Sequence, residues 1–183
     1  MIIGLSGYAG SGKSTAAQAL IGYGWHPRKF AAPLKGMLQF FLAYQGAAPD
    51  HIARMIEGDM KEVLSVMLGG QTPRHAMQTL GTEWGRGWMS ESLWVDAAMR
   101  NMPGHTVFDD CRFENEAKAI RDRGGKIIQV TRTGVGGTST HPSECLPVPD
   151  LILNNDSTPE EMVLRLTLIT TGLEWMWRSS RST

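Results

Sequence analysis

Cysteine is scarce: Cys111 and Cys145 are the two in 183 residues. They stand 34 positions apart with no CxxC pair, which excludes a disulfide framework and a cysteine-rich zinc site. A reducing cytoplasm is therefore the expected setting. An excess of one charge is missing too, since 18 Lys and Arg balance 18 Asp and Glu. That balance excludes a polycation built to coat nucleic acid. Long apolar runs are absent: the longest candidate, Met162 to Leu173, contains Arg165 and several threonines and falls short of the roughly 20 apolar residues that a membrane-spanning helix needs. The start, Ile2-Ile3-Gly4-Leu5, has no basic stretch and no apolar h-region, so no secretory signal is expected. Internal repeats and low-complexity tracts are lacking as well.

What is present is the composition of a soluble globular domain, 42% hydrophobic and 20% charged, long enough for one substantial core. Twelve of the basic residues are Arg and six are Lys. The guanidinium, which grips phosphate or carboxylate through paired hydrogen bonds, is thus favoured, and anionic ligands are suggested.

Short β-type runs alternate with helical patterns, which predicts an α/β fold with a parallel sheet of about five strands. Strands are expected at Ile2 to Ser6, Arg28 to Ala31, Thr106 to Asp109, Lys126 to Thr131 and Leu151 to Leu153. Helices are expected at Ser14 to Leu20, Leu34 to Tyr44, Ile52 to Leu68, Pro73 to Leu80, Glu91 to Met99 and Glu114 to Arg123. Thr72 is suited to cap the helix at Pro73, with Gly81 past its end, and Ser90 to cap the next. A last helix opens at Thr158-Pro159-Glu160-Glu161, with Met162, Leu166, Ile169, Leu173 and Met176 as its core-facing stripe. About 70 residues of helix, roughly 34–103, interrupt the strands.

Gly7-Tyr8-Ala9-Gly10-Ser11-Gly12-Lys13-Ser14 matches the P-loop pattern G-x-x-x-x-G-K-[ST] and lies between a predicted strand and a predicted helix, the context this motif requires. Glycines let successive N–H groups turn toward phosphate oxygens, and the helix start adds its positive dipole end. Lys13 is placed to reach the β- and γ-phosphates, Ser14 offers a hydroxyl to Mg²⁺, and Ala9, Ser11 and Thr15 complete the ATP-binding segment. A nearby strand must end in an acidic partner for the metal. Val107-Phe108-Asp109-Asp110 fits, with Asp110 favoured over Asp109 and the other carboxylate free to cap the helix near Phe113.

The motif alone leaves function open. A GTPase would show Asn-Lys-x-Asp, whereas Asn154-Asn155-Asp156-Ser157 lacks the lysine. The helical insert instead carries Lys35, Arg74, Gln78, Glu83, Trp84, Arg86 and Trp88, groups suited to a second, anionic and aromatic ligand. Arg74 and Gln78, four apart, share a helix face. Arg suits a monophosphate, Gln a base edge, and Trp84 a stacking face, although Trp84, Trp88 and Trp94 are equally suited to a core.

Gly4 to Ser14, Phe30-Ala31-Ala32-Pro33-Leu34-Lys35, Gln78-Thr79-Leu80-Gly81-Thr82-Glu83-Trp84-Gly85-Arg86 and Asp110-Cys111-Arg112-Phe113-Glu114-Asn115-Glu116 together resemble the bacteriophage deoxynucleoside monophosphate kinases. The likeness spans about residues 2 to 160, and the string from Gln78 is its distinctive part. It implies a P-loop nucleoside monophosphate kinase fold that moves the γ-phosphoryl of ATP, with Mg²⁺, onto a deoxynucleoside monophosphate. Asp110-Cys111-Arg112 is similar to the Asp-x-x-x-Arg region of adenylate-type kinases, one or two residues shorter, which implies that Arg112 meets the acceptor phosphate. Arg132 opens a segment, about 133–149, that resembles the group's lid. Asn154 and Asn155 follow the last strand, where such kinases hold adenine, and a turn-and-cap role is equally open. His141-Pro142-Ser143-Glu144 is read as organising its loop.

The acceptor is already an oxyanion near neutral pH, so charge neutralisation, not a general base, is the demand. Lys13, Arg132 and Arg112 are the expected catalytic groups, with Arg74, Arg86 and Arg112 on the acceptor and Lys35 near either. The rivals are a kinase of another small acceptor such as dephospho-coenzyme A, and a nucleotide-switched binding module without phosphotransfer. A DNA-end kinase is disfavoured by the neutral charge and the lack of a basic stripe. The oligomeric state stays open, a homodimer among the options.

Overall fold

A computed structural model of the chain describes residues 1–136 and 146–179. The chain divides into two compact units, Met1–Lys29 with Asn101–Thr183, and Phe30–Arg100.

The first unit is built on five parallel strands: β1 (Ile2–Ser6), β2 (His26–Arg28), β3 (Thr106–Phe108), β4 (Lys126–Thr131) and β5 (Leu151–Asn154), in the order β2-β3-β1-β4-β5. All five residues of central β1 are buried, as expected of a parallel strand covered on both faces. Its helices are α1 (Lys13–Gly22), α6 (Glu114–Arg121) and α7 (Pro159–Ser179). Ile3, Leu5, Val107, Ile128, Val130 and Leu153 of the sheet form one core with Leu20 of α1 and Met162, Leu166 and Leu173 of α7. The chain leaves β1 toward β2 on one side and every later crossover runs the other way, so the direction of winding reverses beside β1, and it is at the carboxyl end of such a switch point that open α/β sheets bind ligands.

The edges of this unit differ from the sequence expectation where pairing decides. β2 covers His26–Arg28 instead of running from Arg28 to Ala31, because its register is set by β3, His26 opposite Thr106 and Arg28 opposite Phe108. Pro27, which has no N–H to donate, is tolerated on this edge strand. β3 ends at Phe108, leaving Asp109 beyond the strand. α1 runs on through Gly22, and α6 stops at Arg121. Met176 is 54% exposed, so the apolar stripe of α7 loses its core contact in the last turns, while Met162 and Leu166 are buried as expected.

The second unit contains α2 (Ala32–Tyr44), α3 (Pro49–Ile56), α4 (Pro73–Thr79) and α5 (Leu93–Ala98). Leu38, Leu42, Ile52, Met55 and Ile56 are its buried centre. α2 begins earlier than Leu34, since Pro33 is preorganised for a first helical turn. The helix expected over Ile52 to Leu68 is overturned. α3 ends at Ile56, the Gly58 N–H turns back to the Ala53 and Arg54 carbonyls, and a Cβ on Gly58 would lie 2.8 Å from the Arg54 Cα. Beyond it, Ser65 bridges Gln71 around a single 3-10 turn, Val66–Leu68.

Thr72 caps α4 as expected, its Oγ1 accepting from the His75 N–H at 3.1 Å. Gly81, however, does not end that helix. The chain continues directly from Thr79 into a π-helical stretch, Leu80–Met89, and the Ser90 N–H donates to the Gly85 carbonyl five residues back at 2.9 Å. Trp94 explains the widened turn. Its indole Nε1 donates to the Gly81 carbonyl at 2.9 Å, and a Cβ on Gly85 would stand 2.2 Å from that nitrogen. The following helix starts at Leu93, two residues later than expected, because Ser90 closes the π stretch and its hydroxyl accepts from the Ser92 N–H at 3.3 Å. No helix among the described residues is long and apolar enough to cross a membrane.

Candidate nucleotide-binding site

β1 delivers Gly7 to the carboxyl edge of the sheet, and α1 leaves it at Lys13. Between them Gly7, Gly10 and Gly12 have φ of 138°, 83° and 105°, a region that side-chain-bearing residues avoid, so the loop can follow this path only because these are glycines. Ala9 and Gly10 are exposed at the crest, Ser14 and Thr15 are exposed on the first turn of α1, and Ser11 is buried with its Oγ unpartnered.

Lys13 folds back over the loop. Its Nζ donates to the Gly7 carbonyl at 2.7 Å and the Tyr8 carbonyl at 2.8 Å. Its pKa is lowered, first by burial, then by the positive charge of Arg112, with Asp109 opposing. Lys13, Arg112 and Asp109 are therefore electrostatic neighbours around the loop. An ammonium that burial penalises is one that an incoming polyanion stabilises.

The two aspartates after β3 have different surroundings. Asp109 lies 3.5 Å from Lys29 Nζ, and its Oδ1 is buried without a hydrogen-bond partner. Asp110 is half-buried and bears on the Cys111 thiol, whose pKa is raised chiefly by its own burial, then by Glu116 and Asp110. The start of α6 is served by Glu116, whose Oε2 accepts from the N–H groups of Arg112 and Phe113 at 2.8 and 3.1 Å. Glu116 stands three residues into the helix, the position whose carboxylate ordinarily reaches back to the first N–H groups, and that signal is present in the sequence.

For Asn155 the sequence left open a place near adenine and a turn-and-cap role. Its side chain is turned to the P-loop, Nδ2 donating to the Ser11 carbonyl at 2.8 Å, and a Cβ on Gly12 would lie 2.2 Å from that nitrogen. Arg132 follows β4 and is exposed. Of the lid-like segment, residues 137–145 lie outside the described residues, and His141-Pro142-Ser143-Glu144 falls wholly within that part.

In the helical unit, Arg74 and Gln78 are both exposed on α4, and Arg74 Nε is paired with the Glu62 carboxylate. Lys35 Nζ donates to Glu57 Oε1 at 2.6 Å. Glu83, Trp84 and Arg86 all stand on the π-helical stretch, Glu83 exposed and the other two half-buried. Trp84 packs near Trp94 with ring centres 6.0 Å apart, Trp94 is core and Trp88 is 82% exposed, so the three tryptophans divide between packing and surface.

These observations fit a nucleoside triphosphate with its Mg²⁺. The left-handed glycine conformations of the loop suit a main-chain phosphate cradle, and Lys13 and Arg112 bring positive charge to it. The donor set for the ion, the Ser14 hydroxyl with a carboxylate of Asp109 or Asp110, is all oxygen, as Mg²⁺ prefers. Among the described residues no three His, Cys, Asp or Glu side chains cluster so as to hold a metal ion.

No protein-family model matches the chain. Among solved structures it is similar to shikimate kinase from Aquifex aeolicus (13% identity, TM-score 0.41) and to TT1252 from Thermus thermophilus (17%, 0.43). In both cases 94% of this chain and 97% of the other are covered. A curated protein of Acanthamoeba polyphaga mimivirus, named "Putative deoxynucleotide monophosphate kinase", is 34% identical over 184 aligned positions, covering 88% of this chain and 91% of its own. With that identity over nearly the whole of both proteins, the chain belongs to the same family as the viral protein, a family of P-loop kinases named for deoxynucleotide monophosphates.

Proposed function

We propose that this protein transfers the γ-phosphoryl group of ATP to a deoxynucleoside 5′-monophosphate, giving ADP and the deoxynucleoside diphosphate. The observation that carries the reading is the kinship with the viral protein across 88% of the chain, since the fold by itself hosts many acceptors. An oxygen of the acceptor phosphate forms the new bond to the γ-phosphorus while the bond from that phosphorus to the β-bridging oxygen breaks. Charge neutralisation and alignment are what the protein must supply.

The loop from Gly7 to Ser14, with Thr15 behind it, binds the donor phosphates, and Lys13 follows the γ-phosphoryl. Mg²⁺, when bound, neutralises phosphate charge, and Ser14 with Asp109 or Asp110 would hold it. The coupling of Asp109 to Lys13 and its unpartnered Oδ1 favour Asp109 for that role. Arg132 and Arg112 face charge that spreads during transfer. On the helical unit, Arg74, Arg86 and Lys35 hold the acceptor phosphate, Gln78 and Glu83 read its base or sugar, and Trp84 offers a stacking face. Widened helical turns recur at functional sites, and here Glu83, Trp84 and Arg86 share one.

The test is a panel of deoxynucleoside monophosphates with ATP and Mg²⁺, following label from the γ position, with dephospho-coenzyme A alongside. Transfer to one or more mononucleotides, with little ATP hydrolysis when the acceptor is omitted, is the expected result. Label on dephospho-coenzyme A alone, or tight ATP binding with no transfer at all, would replace this reading with one of its rivals.

A further inference from the structure

The turn Asn154-Asn155-Asp156, at the end of β5, makes more side-chain hydrogen bonds than a simple connection to α7 requires. It reaches two other segments of the same unit. On one side, Asn155 Nδ2 donates to the Ser11 carbonyl at 2.8 Å, while the Asn155 backbone N–H is held by the Thr131 carbonyl at 2.8 Å. On the other, Asp156 accepts from the Thr133 N–H through Oδ1 at 2.6 Å and from the Thr133 hydroxyl through Oδ2 at 2.8 Å. Asn154 locks the turn itself, its Nδ2 donating to Asp156 Oδ2 at 2.8 Å and its Oδ1 accepting from the Asp156 N–H at 2.9 Å.

Each partner lies next to a group assigned to phosphate. Ser11 precedes Gly12 and Lys13 in the loop, and the Ser11 carbonyl belongs to the peptide whose N–H is that of Gly12. Holding the carbonyl outward therefore aims that N–H. Gly12 must be glycine twice over, for its φ of 105° and because a Cβ would occupy the Asn155 amide position. Thr133 follows Arg132, so gripping the Thr133 N–H fixes the peptide that links it to Arg132, and with it the direction in which the exposed Arg132 side chain leaves the end of β4.

We propose that the Asn154-Asn155-Asp156 turn is a two-armed positioning element, Asn155 orienting the P-loop peptides and Asp156 orienting Arg132, so that one rigid turn sets both donor-side groups in register. The inference rests on reading Gly7 to Ser14 as a triphosphate cradle. It assigns the Asn155 side chain to the loop instead of to a nucleotide base. The Asp156 carboxyl is held below its ordinary range by the Thr133 N–H, the Thr133 hydroxyl and the Asn154 amide, so at neutral pH this arm works with a full negative charge.

The two arms predict separable defects, which a merely structural turn would not produce. Equilibrium binding of MgATP, measured without acceptor, should weaken about tenfold in Asn155→Ala, the loss of one aimed hydrogen bond, and at least as much in Asn155→Asp, which keeps the size but cannot donate. Asp156→Ala should bind MgATP within about twofold of wild type and lose about tenfold in kcat with the acceptor KM little changed, and Asp156→Asn, which keeps one acceptor oxygen, should recover part of it. Unchanged ATP affinity in both Asn155 variants overturns the first arm. A fall in ATP affinity with kcat untouched in Asp156→Ala overturns the second. If Asn155→Ala melts below the assay temperature, Asn155→Asp is read in its place. If wild type binds MgATP yet phosphorylates no mononucleotide, the kinase reading fails while the binding comparison still decides the Asn155 arm.

Discussion

The two units hold their charged groups in opposite ways. Around the P-loop, Lys13 is pinned by the main-chain carbonyls of Gly7 and Tyr8 and Asn155 braces the loop, so the cationic site is prepared before anything binds. In the helical unit two of the cations named for the acceptor rest on carboxylates at the surface, Lys35 on Glu57 and Arg74 on Glu62. A site built from backbone groups has little freedom to lose when an anion arrives, and so costs little to organise. A site whose guanidinium is parked on an exposed carboxylate must exchange one anion for another, which favours selectivity and release over raw affinity.

The largest effect that would break this contrast is at Lys13. Lys13→Ala should lower kcat about 10²–10³-fold, as removal of a charge aimed at the reacting phosphoryl does, with the protein still folded by circular dichroism. Near-wild-type turnover would show that the loop does not need its ammonium. Gly85→Ala comes next: its Cβ would press within 2.2 Å of the Trp94 indole, and overpacking of this kind costs about 1–3 kcal/mol. Urea unfolding should register that loss while MgATP affinity stays at the wild-type value, because the cradle lies in the other unit. A parallel loss of ATP binding would mean that the phosphate loop depends on the packing of the helical unit.

Smaller effects sharpen it. Arg74→Gln should raise the acceptor KM about tenfold and leave the ATP KM alone. Glu62→Gln, which releases Arg74 from its carboxylate, should lower the acceptor KM about two- to threefold, and an increase would mean that the pair aims Arg74 instead of parking it. The smallest effect is a titration. Asp59, bridged by Arg54 at 3.0 and 2.8 Å, has its carboxyl lowered from 3.8 to about 2, chiefly by that side-chain hydrogen bond. A depressed carboxyl is fully paired above pH 3.8 and loses the pairing as pH falls through about 2, so its NMR side-chain resonance should move only in that lower range.

Most of the sheet was legible along the chain because parallel strands buried on both faces read as short apolar runs, as Ile2-Ile3-Gly4-Leu5 does, and β4 keeps Ile127, Ile128 and Val130 buried. The P-loop was legible for a different reason: its function resides in backbone geometry, and glycine spacing records backbone geometry directly. The helical unit was read less well. Ile52 to Leu68 has enough apolar spacing to suggest one helix, yet the Gly58 turn and the Ser65–Gln71 bridge divide it. Gly81 looked like a helix stop and instead lies within a continuous wide helix, since the indole of Trp94, thirteen residues on, takes its carbonyl.

The sequence by itself determined the α/β class, the parallel sheet and the phosphate loop, since each rests on the periodicity or the conformational freedom of neighbouring residues. Tertiary structure alone decided that Asn155 faces Ser11, 144 positions away, that Asp109 shares the electrostatic surroundings of Lys13, and that the chain from Leu80 to Met89 winds into a π-helix under Trp94. Those facts depend on which distant groups the folded sheet and helices bring within hydrogen-bonding reach, and spacing along a chain carries no record of that.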